Sequence, residues 1–404
     1  MVSVQSVSVD AVRRLQIEKQ GIVEPPKRAS KRMIEETIGR VGCLQIDTIN
    51  VVERAHYFTL WTRLGQYRKE DLYALAYEDR RIFEGWGHAM CYMPWDHYRY
   101  LSSPRRWRGE RRADNEGWYS RVSPDIVDSV LDRIKREGAL GSADFEGAKP
   151  SGGWWSWKPT KLALESLFGS GELMVTRREG FQRIYDLTER VLPGWVDTTE
   201  PTEEERRRFF YLHTLGCLGA TKPNDINWYY PKQWIRYNIN NKQIQAELDS
   251  LVDEGEAARL SIENHKTPYY CLPEDAPRLE ELGKEWDHGG VRFVNYFDSL
   301  LWLADRLKDF FGFQRALEVY LKPEQRKYCY YTTPILYGDR LVGRLGPKLE
   351  RKEHKLIIRG LWFEDGFKPD EEYEDEFAKT LDDFAKFGGA EKIDWRCEKA
   401  PTSA

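Results

Sequence analysis

The stretch Leu44-Gln45-Ile46-Asp47-Thr48-Ile49, with Arg54-Ala55-His56-Tyr57-Phe58-Thr59-Leu60-Trp61-Thr62-Arg63-Leu64-Gly65 just after it, decides how the chain is read. Leu44, Ile46 and Thr48 alternate with Gln45, Asp47 and Ile49 in a run rich in β-branched residues, which predicts a strand. Period two puts the Gln45 amide and the Asp47 carboxylate on one face of it. Val52, His56, Leu60 and Leu64 then recur in steps of four up to Gly65, which predicts a helix stopped by the glycine. An amide and a carboxylate thus leave a strand together, beside a helix carrying Arg54, His56 and Arg63. On these residues alone two readings stay open. Asp47 caps the next helix while Gln45 bonds backbone, or the pair performs chemistry.

Working outward, 404 residues exceed one ordinary core, so two to four domains are expected. Hydrophobic residues at 41% supply enough packing material to argue against disorder. The fifteen tryptophans are more than a core needs, so some are candidate stacking surfaces for bases. Six cysteines (43, 91, 217, 271, 329, 397) are scattered without a Cys-x-x-Cys, and the histidines are equally dispersed. That spacing argues against a zinc or iron–sulfur site and against a disulfide framework, so no metal or cofactor is expected. No apolar run approaches the roughly 18 residues of a membrane span, and the N-terminus lacks a signal-peptide core. A soluble cytoplasmic protein is expected, associated with the nucleoid when bound to DNA, and a monomer. Net charge is −4, but residues 364–383 alone carry −8, which leaves a modestly basic body compatible with DNA binding.

In chain order, residues 8–21 predict a helix capped by Ser8 or Asp10, and residues 29–41 a second that leads into the Gln45–Asp47 strand. A helix over 69–77 leads to 82–94, where Glu84, Trp86 and His88 cluster. His88 is a structural histidine or a DNA-contacting one. Residues 98–112 hold six arginines, Arg105 and Arg106 among them, interleaved with aromatics. That composition suits phosphate contact and base stacking, or else a solvated helix face. Next comes an internal repeat: Ser166-Leu167-Phe168-Gly169-Ser170-Gly171-Glu172 corresponds to Ser250-Leu251-Val252-Asp253-Glu254-Gly255-Glu256, 84 residues on. Each copy follows an amphipathic helix (160–167; 241–251) and precedes two short strands (173–176 and 183–187; 257–262 and 269–272). Helix, strand, wing and strand is the winged helix-turn-helix order. Lys158, Lys161, Arg177 and Arg178 are placed for DNA contact in the first copy. Residues 8–94 read as a diverged earlier copy. From about 290 the period shifts to strands at 291–296, 316–321, 328–337, 341–345 and 355–362, with Gly338-Asp339 as a hairpin turn and Tyr328, Tyr330 and Tyr331 as a candidate wedge. A helix over 371–387 closes the chain.

The motif stretch resembles the signature of the YcaQ/AlkZ winged-helix DNA glycosylases, which excise alkylated purines and unhook interstrand crosslinks. Their Gln-x-Gln or Gln-x-Asp motif stands here as Gln45-Ile46-Asp47, followed by Arg54-Ala55-His56 and Leu60-Trp61-Thr62-Arg63-Leu64-Gly65. Further similar stretches are Glu84-Gly85-Trp86-Gly87-His88-Ala89, Trp157-Lys158-Pro159-Thr160-Lys161, Tyr185-Asp186-Leu187-Thr188-Glu189-Arg190 and Pro334-Ile335-Leu336-Tyr337-Gly338-Asp339-Arg340. Where family members often carry Asp, this chain has Gly346, so that position's role is not carried over. The resemblance implies an α+β fold of three tandem winged helix-turn-helix units (1–115, 116–199, 200–285) and a β-rich, barrel-like C-terminal domain (286–404). It implies catalysis by Gln45 and Asp47, with DNA contacts from Arg54, His56, Arg63, His88, Arg105, Arg106, Lys158, Lys161, Arg177 and Arg178. The expected partner is double-stranded DNA carrying alkylated bases or crosslinks, with no membrane.

The chemistry fits the residue types. Breaking an N-glycosidic bond develops positive charge on the sugar, which a carboxylate stabilises while taking a proton from water. Asp47 suits both tasks, and Gln45 suits holding the water. No lysine in the motif offers a Schiff base, so monofunctional hydrolysis without strand cleavage is expected. The rival readings are a winged-helix DNA-binding regulator without activity, or a resistance protein that binds damaged DNA without processing it.

Overall fold

A computed structural model describes residues 5–114, 116–145, 159–230, 239–286 and 289–396. The chain opens with β1 (Gln5–Val7) and α1 (Val9–Lys19), whose cap is Ser8, its Oγ accepting from the Ala11 amide at 3.2 Å. Ser30 caps α2 (Lys31–Val41) in the same way, and β2 (Leu44–Gln45) follows. Helix α3 (Ala55–Leu64) ends at Gly65, whose φ of 63° is the left-handed conformation that glycine takes without steric cost. After α4 (Lys69–Tyr73), β3 (Ile82–Trp86) and β4 (Met90–Pro94) form a hairpin that accepts β2 at the β4 edge, giving the order β2-β4-β3. Ile34, Ile38, Leu44, Ile46, Leu60, Leu64 and Tyr92 fill the space between this sheet and its helices.

The middle of the chain runs α5 (Ser102–Ala113), α6 (Pro124–Glu137), β5 (Leu140–Gly141), α7 (Pro159–Ser170), β6 (Leu173–Glu179) and β7 (Gln182–Leu187), with sheet order β5-β7-β6. The second copy of the repeat has helices Glu203–Leu218, Pro223–Tyr229 and Asn241–Asp253, then β8 (Ala258–Ile262) and β9 (Tyr269–Cys271). Its sheet is completed by the start of the chain: β1 runs parallel to β8, with Gln5 opposite Leu260. Val7, Val12 and Leu15 share a core with Leu260, Ile262 and Leu282. The sequence reading groups residues 1–115 as one unit. In the fold β1 and α1 leave that group, because a three-residue strand needs a partner and the exposed β8 edge supplies it.

A five-stranded, curled half-barrel sheet closes the molecule: β10 (Val291–Phe293), β11 (Thr333–Tyr337), β12 (Arg340–Glu350), β13 (Lys355–Phe363) and β14 (Lys392–Trp395), adjacent in that order. Register shifts at Ile335/Leu336 and Leu345/Pro347 supply the bend, as an extra residue does in a bulge. The acidic helix Glu371–Gly388 lays Tyr373, Phe377, Leu381 and Phe384 on the sheet, and α3 adds Phe58 and Trp61 to that core. One expected strand is not there and another is shorter than expected. Residues 316–321 form instead a short 3-10 turn, Glu318–Tyr320, and β11 begins only at Thr333. The buried Glu318 carboxylate accepts the amides of Lys327 and Tyr328 at 2.7 and 2.9 Å, so those groups are spent on the turn and not on a ladder.

Candidate active site

The motif strand is short because its pairing is local. Leu44 and Gln45 face Tyr92 and Cys91 on β4, and the Ile46 amide donates to the Met90 carbonyl at 2.8 Å. Leu44 and Ile46 point into the core, so Gln45 and Asp47 lie on the other face, both half-buried. Asp47 Oδ1 accepts the Ile49 amide at 2.8 Å, a two-residue turn that fixes the carboxylate. Among the described residues no side chain bonds the Asp47 carboxylate or the Gln45 side-chain amide. Burial pushes the Asp47 carboxyl above its ordinary value, while the amides of Ile49 and Thr48 pull it back. The half-barrel holds the following loop: the Leu349 amide donates to Val51 O at 3.0 Å and Arg351 donates to the carbonyls of Asn50 and Val52.

His88 lies in the turn between β3 and β4, next to the residues that pair with β2. Its ring stacks on Trp302 with centroids 3.9 Å apart and planes 5° apart. Nδ1 sits 3.1 and 3.2 Å from the carbonyl oxygens of Trp228 and Tyr229, so Nδ1 carries the proton and donates, and Nε2 keeps its lone pair. Burial lowers its pKa to about 4, so the ring is neutral at physiological pH and its Nε2 lone pair can accept a hydrogen bond. The 315–331 segment reaches the same region, Arg315 donating at 3.4 Å to the carbonyl of the Trp302 that stacks on His88; the phenols of Tyr320 and Tyr331 are raised first by burial, and the negative charge of Asp47 adds to both.

Several expected DNA contacts are corrected. His56 is buried, its ring lying parallel to that of Phe181, and burial, with the charges of Arg178 and Arg54 behind it, keeps it neutral. Arg63 is also buried, donating to both carboxylate oxygens of Asp298 at 2.6 and 2.9 Å and to Gln20 O at 2.6 Å. Losing one partner of such a pair costs about 3–5 kcal/mol, which makes Arg63 an anchor of α3 and not a phosphate ligand. Arg178 turns inward as well: Nε and Nη2 donate to the Glu84 carboxylate at 2.7 and 2.6 Å, and Nη1 donates to Phe181 O at 2.9 Å. Tyr77 hands Glu84 another hydrogen bond. Phe181, with φ of 72°, is gripped between Arg54 and Arg178, whose guanidinium carbons lie 4.0 and 4.5 Å from its ring centroid. Arg177, its neighbour on the strand and so on the opposite face, points outward, beside Glu179.

On α5, Arg105 packs its guanidinium over Tyr98 at 3.9 Å and donates to the Tyr98 carbonyl, so it is a packing residue. Arg106 is exposed and paired with Glu200, and Arg112 is paired with Glu172 at 2.5 Å. Lys161 lines a cleft of about 280 Å³ with Ile46, Thr48, Trp86, Arg178 and Phe181, directly behind the motif strand. Lys158 lies outside the described residues. Sequence reasoning missed Glu84 as the clamp on Arg178, and Tyr320, Arg315 and Trp228 as neighbours of the site. A buried carboxylate in the Glu84-Gly85-Trp86 strand was the available signal for the first, since such a group requires a cation.

No helix among the described residues is long and apolar enough to cross a membrane. Residues 38–387 match the AlkZ-like family, described as DNA glycosylase AlkZ-like. The fold is similar to that of the Streptomyces sahachiroi DNA glycosylase AlkZ, with a TM-score of 0.64 at 16% identity over 97% of this chain and 100% of that one.

Proposed function

The chain belongs to the AlkZ-like DNA glycosylase family and is a hydrolytic DNA N-glycosylase, and from that premise we propose that it releases N7-alkylated guanine and unhooks N7-linked interstrand crosslinks. The observation that carries this reading is the Gln45/Asp47 pair. The carboxylate is held from its backbone side by the Ile49 amide, and no side chain among the described residues competes with substrate or water for it or for the Gln45 side-chain amide. As the glycosidic bond lengthens, the sugar gains oxocarbenium character and the Asp47 charge stabilises it. Gln45 orients a water through its amide, and Asp47 takes the proton as that water adds to C1′. N7 alkylation makes the base a cationic leaving group, so it departs without protonation. The neutral state of His88 fits that economy, because its lone pair accepts a hydrogen bond and supplies no proton.

A crosslinked base stays tied to the opposite strand and cannot be fully extruded, so its enzyme needs an open site. The half-exposed setting of Gln45 and Asp47 on a short strand supports that requirement. The three small sheets with their helices serve in this reading as tandem winged-helix units that hold the duplex, with Arg177, Arg106 and Lys161 facing phosphates. The test is to incubate the protein with a duplex carrying N7-methylguanine, treat it with hot alkali and measure strand breaks, alongside matched uracil and hypoxanthine duplexes. Breaks at N7-methylguanine alone are expected. No breaks above the Asp47→Asn background would end the reading, and efficient uracil release would show that a proton donor is at work.

A further inference from the structure

Among the described residues Tyr320 is the most exposed large apolar side chain, at 70%, yet the loop carrying it is braced from several sides. The Glu318 carboxylate, buried, ties down the amides of Lys327 and Tyr328. Arg326 donates to the Leu321 carbonyl at 2.7 and 3.0 Å, locking the residue after Tyr320. Arg315 anchors the start of the loop on the carbonyls of Trp302 and Tyr296. A chain that orders a loop this thoroughly and then leaves a phenol ring in solvent has prepared that ring for a ligand, because ordering has already met the entropy cost that binding would otherwise meet. Its neighbour Tyr330 is also exposed, but the Arg326 guanidinium already covers it at 5.1 Å. Among the described residues no ring or cation lies on Tyr320.

Two further facts say what the ligand is. The start of the loop is tied to the site, because Arg315 donates to the Trp302 carbonyl and the Trp302 ring stacks on His88, and the Asp47 charge reaches the phenols of Tyr320 and Tyr331, with Arg315 opposing it at Tyr320. An electron-rich ring face beside a fixed carboxylate makes a site for a flat cation. We propose that Tyr320 is a specificity-determining residue whose exposed ring face receives the positively charged purine of an N7-alkylated nucleotide by a cation–π contact while Asp47 faces the sugar. This rests on the proposed action on N7-alkylguanine and adds to it the means by which the damaged base is told from guanine. A neutral guanine stacks on the same ring without the charge term, so the ring rewards alkylation itself and not the size of the adduct.

The experiment measures equilibrium binding to three matched duplexes. One carries 2′-fluoro-N7-methylguanine, cationic and resistant to hydrolysis; one carries 7-methyl-7-deazaguanine, its neutral isostere; one carries guanine. Wild type should bind the cationic duplex more tightly than the neutral isostere. Tyr320→Phe should keep that preference, and Tyr320→Leu, which retains apolar area and loses the π face, should lower it by about 3- to 30-fold. Equal losses on the cationic and neutral duplexes would make Tyr320 a charge-blind stacking surface and overturn the proposal, as would no loss, or no preference in wild type. Turnover is not involved, so failure here is separable from failure of the strand-break test, which reports on the glycosylase reading alone. Tyr320 is exposed, and unchanged thermal melting of both variants checks that the fold is intact.

Discussion

The β6–β7 hairpin carries Arg177, Arg178 and Phe181, and the 315–331 segment carries Arg315, Tyr320, Arg326 and Tyr330. Composition makes the first look like a DNA-facing wing and the second like a core strand with its hairpin. The structure nearly exchanges them. Arg178 and Phe181 plug into the motif unit through Glu84, Arg54 and His56, whereas Tyr320 and Tyr330 face solvent. The difference lies in where the nearest buried carboxylate sits. Glu84 pulls an arginine out of solvent because a buried charge must be matched, and Glu318 spends its bonds on backbone amides, which orders a loop without burying its rings.

The largest effect expected is on stability. Arg178→Ala leaves the Glu84 charge buried with no cation, so unfolding in urea should show a loss of about 3–5 kcal/mol. The double variant Glu84→Gln with Arg178→Met should recover much of it. If Arg178→Ala costs under about 0.5 kcal/mol, the inward-turned arginine is not what fastens the turn.

Asp47→Asn comes next. Base release from N7-methylguanine should fall by about 10²–10³-fold or more, as when a group acting chiefly on the transition state is removed. Stability should move the other way. Burial raises the folded-state pKa of Asp47, so its ionised form is the disfavoured one above that pKa, and the asparagine variant should melt at the same temperature or higher at neutral pH. DNA affinity should hold or rise, because a carboxylate facing phosphates is gone. An undiminished rate would remove Asp47 from the mechanism.

Much of this was legible in the sequence, and the errors have physical causes. Ser8 announced the first helix and Gly65 the end of α3, while the Ser30 cap of the second went unread. The 84-residue repeat returned as α7–β6–β7 and Asn241–Asp253–β8–β9. What misled was α3. Steps of four through Val52, His56, Leu60 and Leu64 mark one inner face, but Phe58 and Trp61 are apolar on the other, and helices apolar all round are buried. Nine of its ten residues are in fact buried, between the motif sheet and the half-barrel, so His56 and Arg63 could not face DNA. The pairing of β1 with β8 joins residues about 250 apart in the chain, a distance at which local pattern carries no signal.

The pH profile of turnover sharpens the site itself. Asp47 must be ionised, so activity should be lost as pH falls through its pKa, which lies above the usual carboxylate value near 4. From about pH 6 to 8 the rate should be flat, because the base leaves without a proton and His88, with a pKa of about 4, is already neutral. A fall across that window would reveal an acid in the mechanism, and His88→Asn would show whether it is this ring.

The smallest effect separates the two neighbouring arginines. Arg177 is half-exposed and paired with exposed Glu179, an arrangement that contributes little to stability. Arg177→Ala should therefore leave urea unfolding within about 0.5 kcal/mol of wild type, in contrast to the several kcal/mol predicted for Arg178→Ala. Its effect belongs in DNA binding. Removing one phosphate contact should weaken damaged and undamaged duplexes alike and reduce the slope of log affinity against log salt by about 0.9. The measurement is a salt series on both duplexes with wild type and Arg177→Ala. An unchanged slope would leave Glu179 as the whole partner of Arg177, and the outer face of this turn would then be as remote from DNA as its inner one.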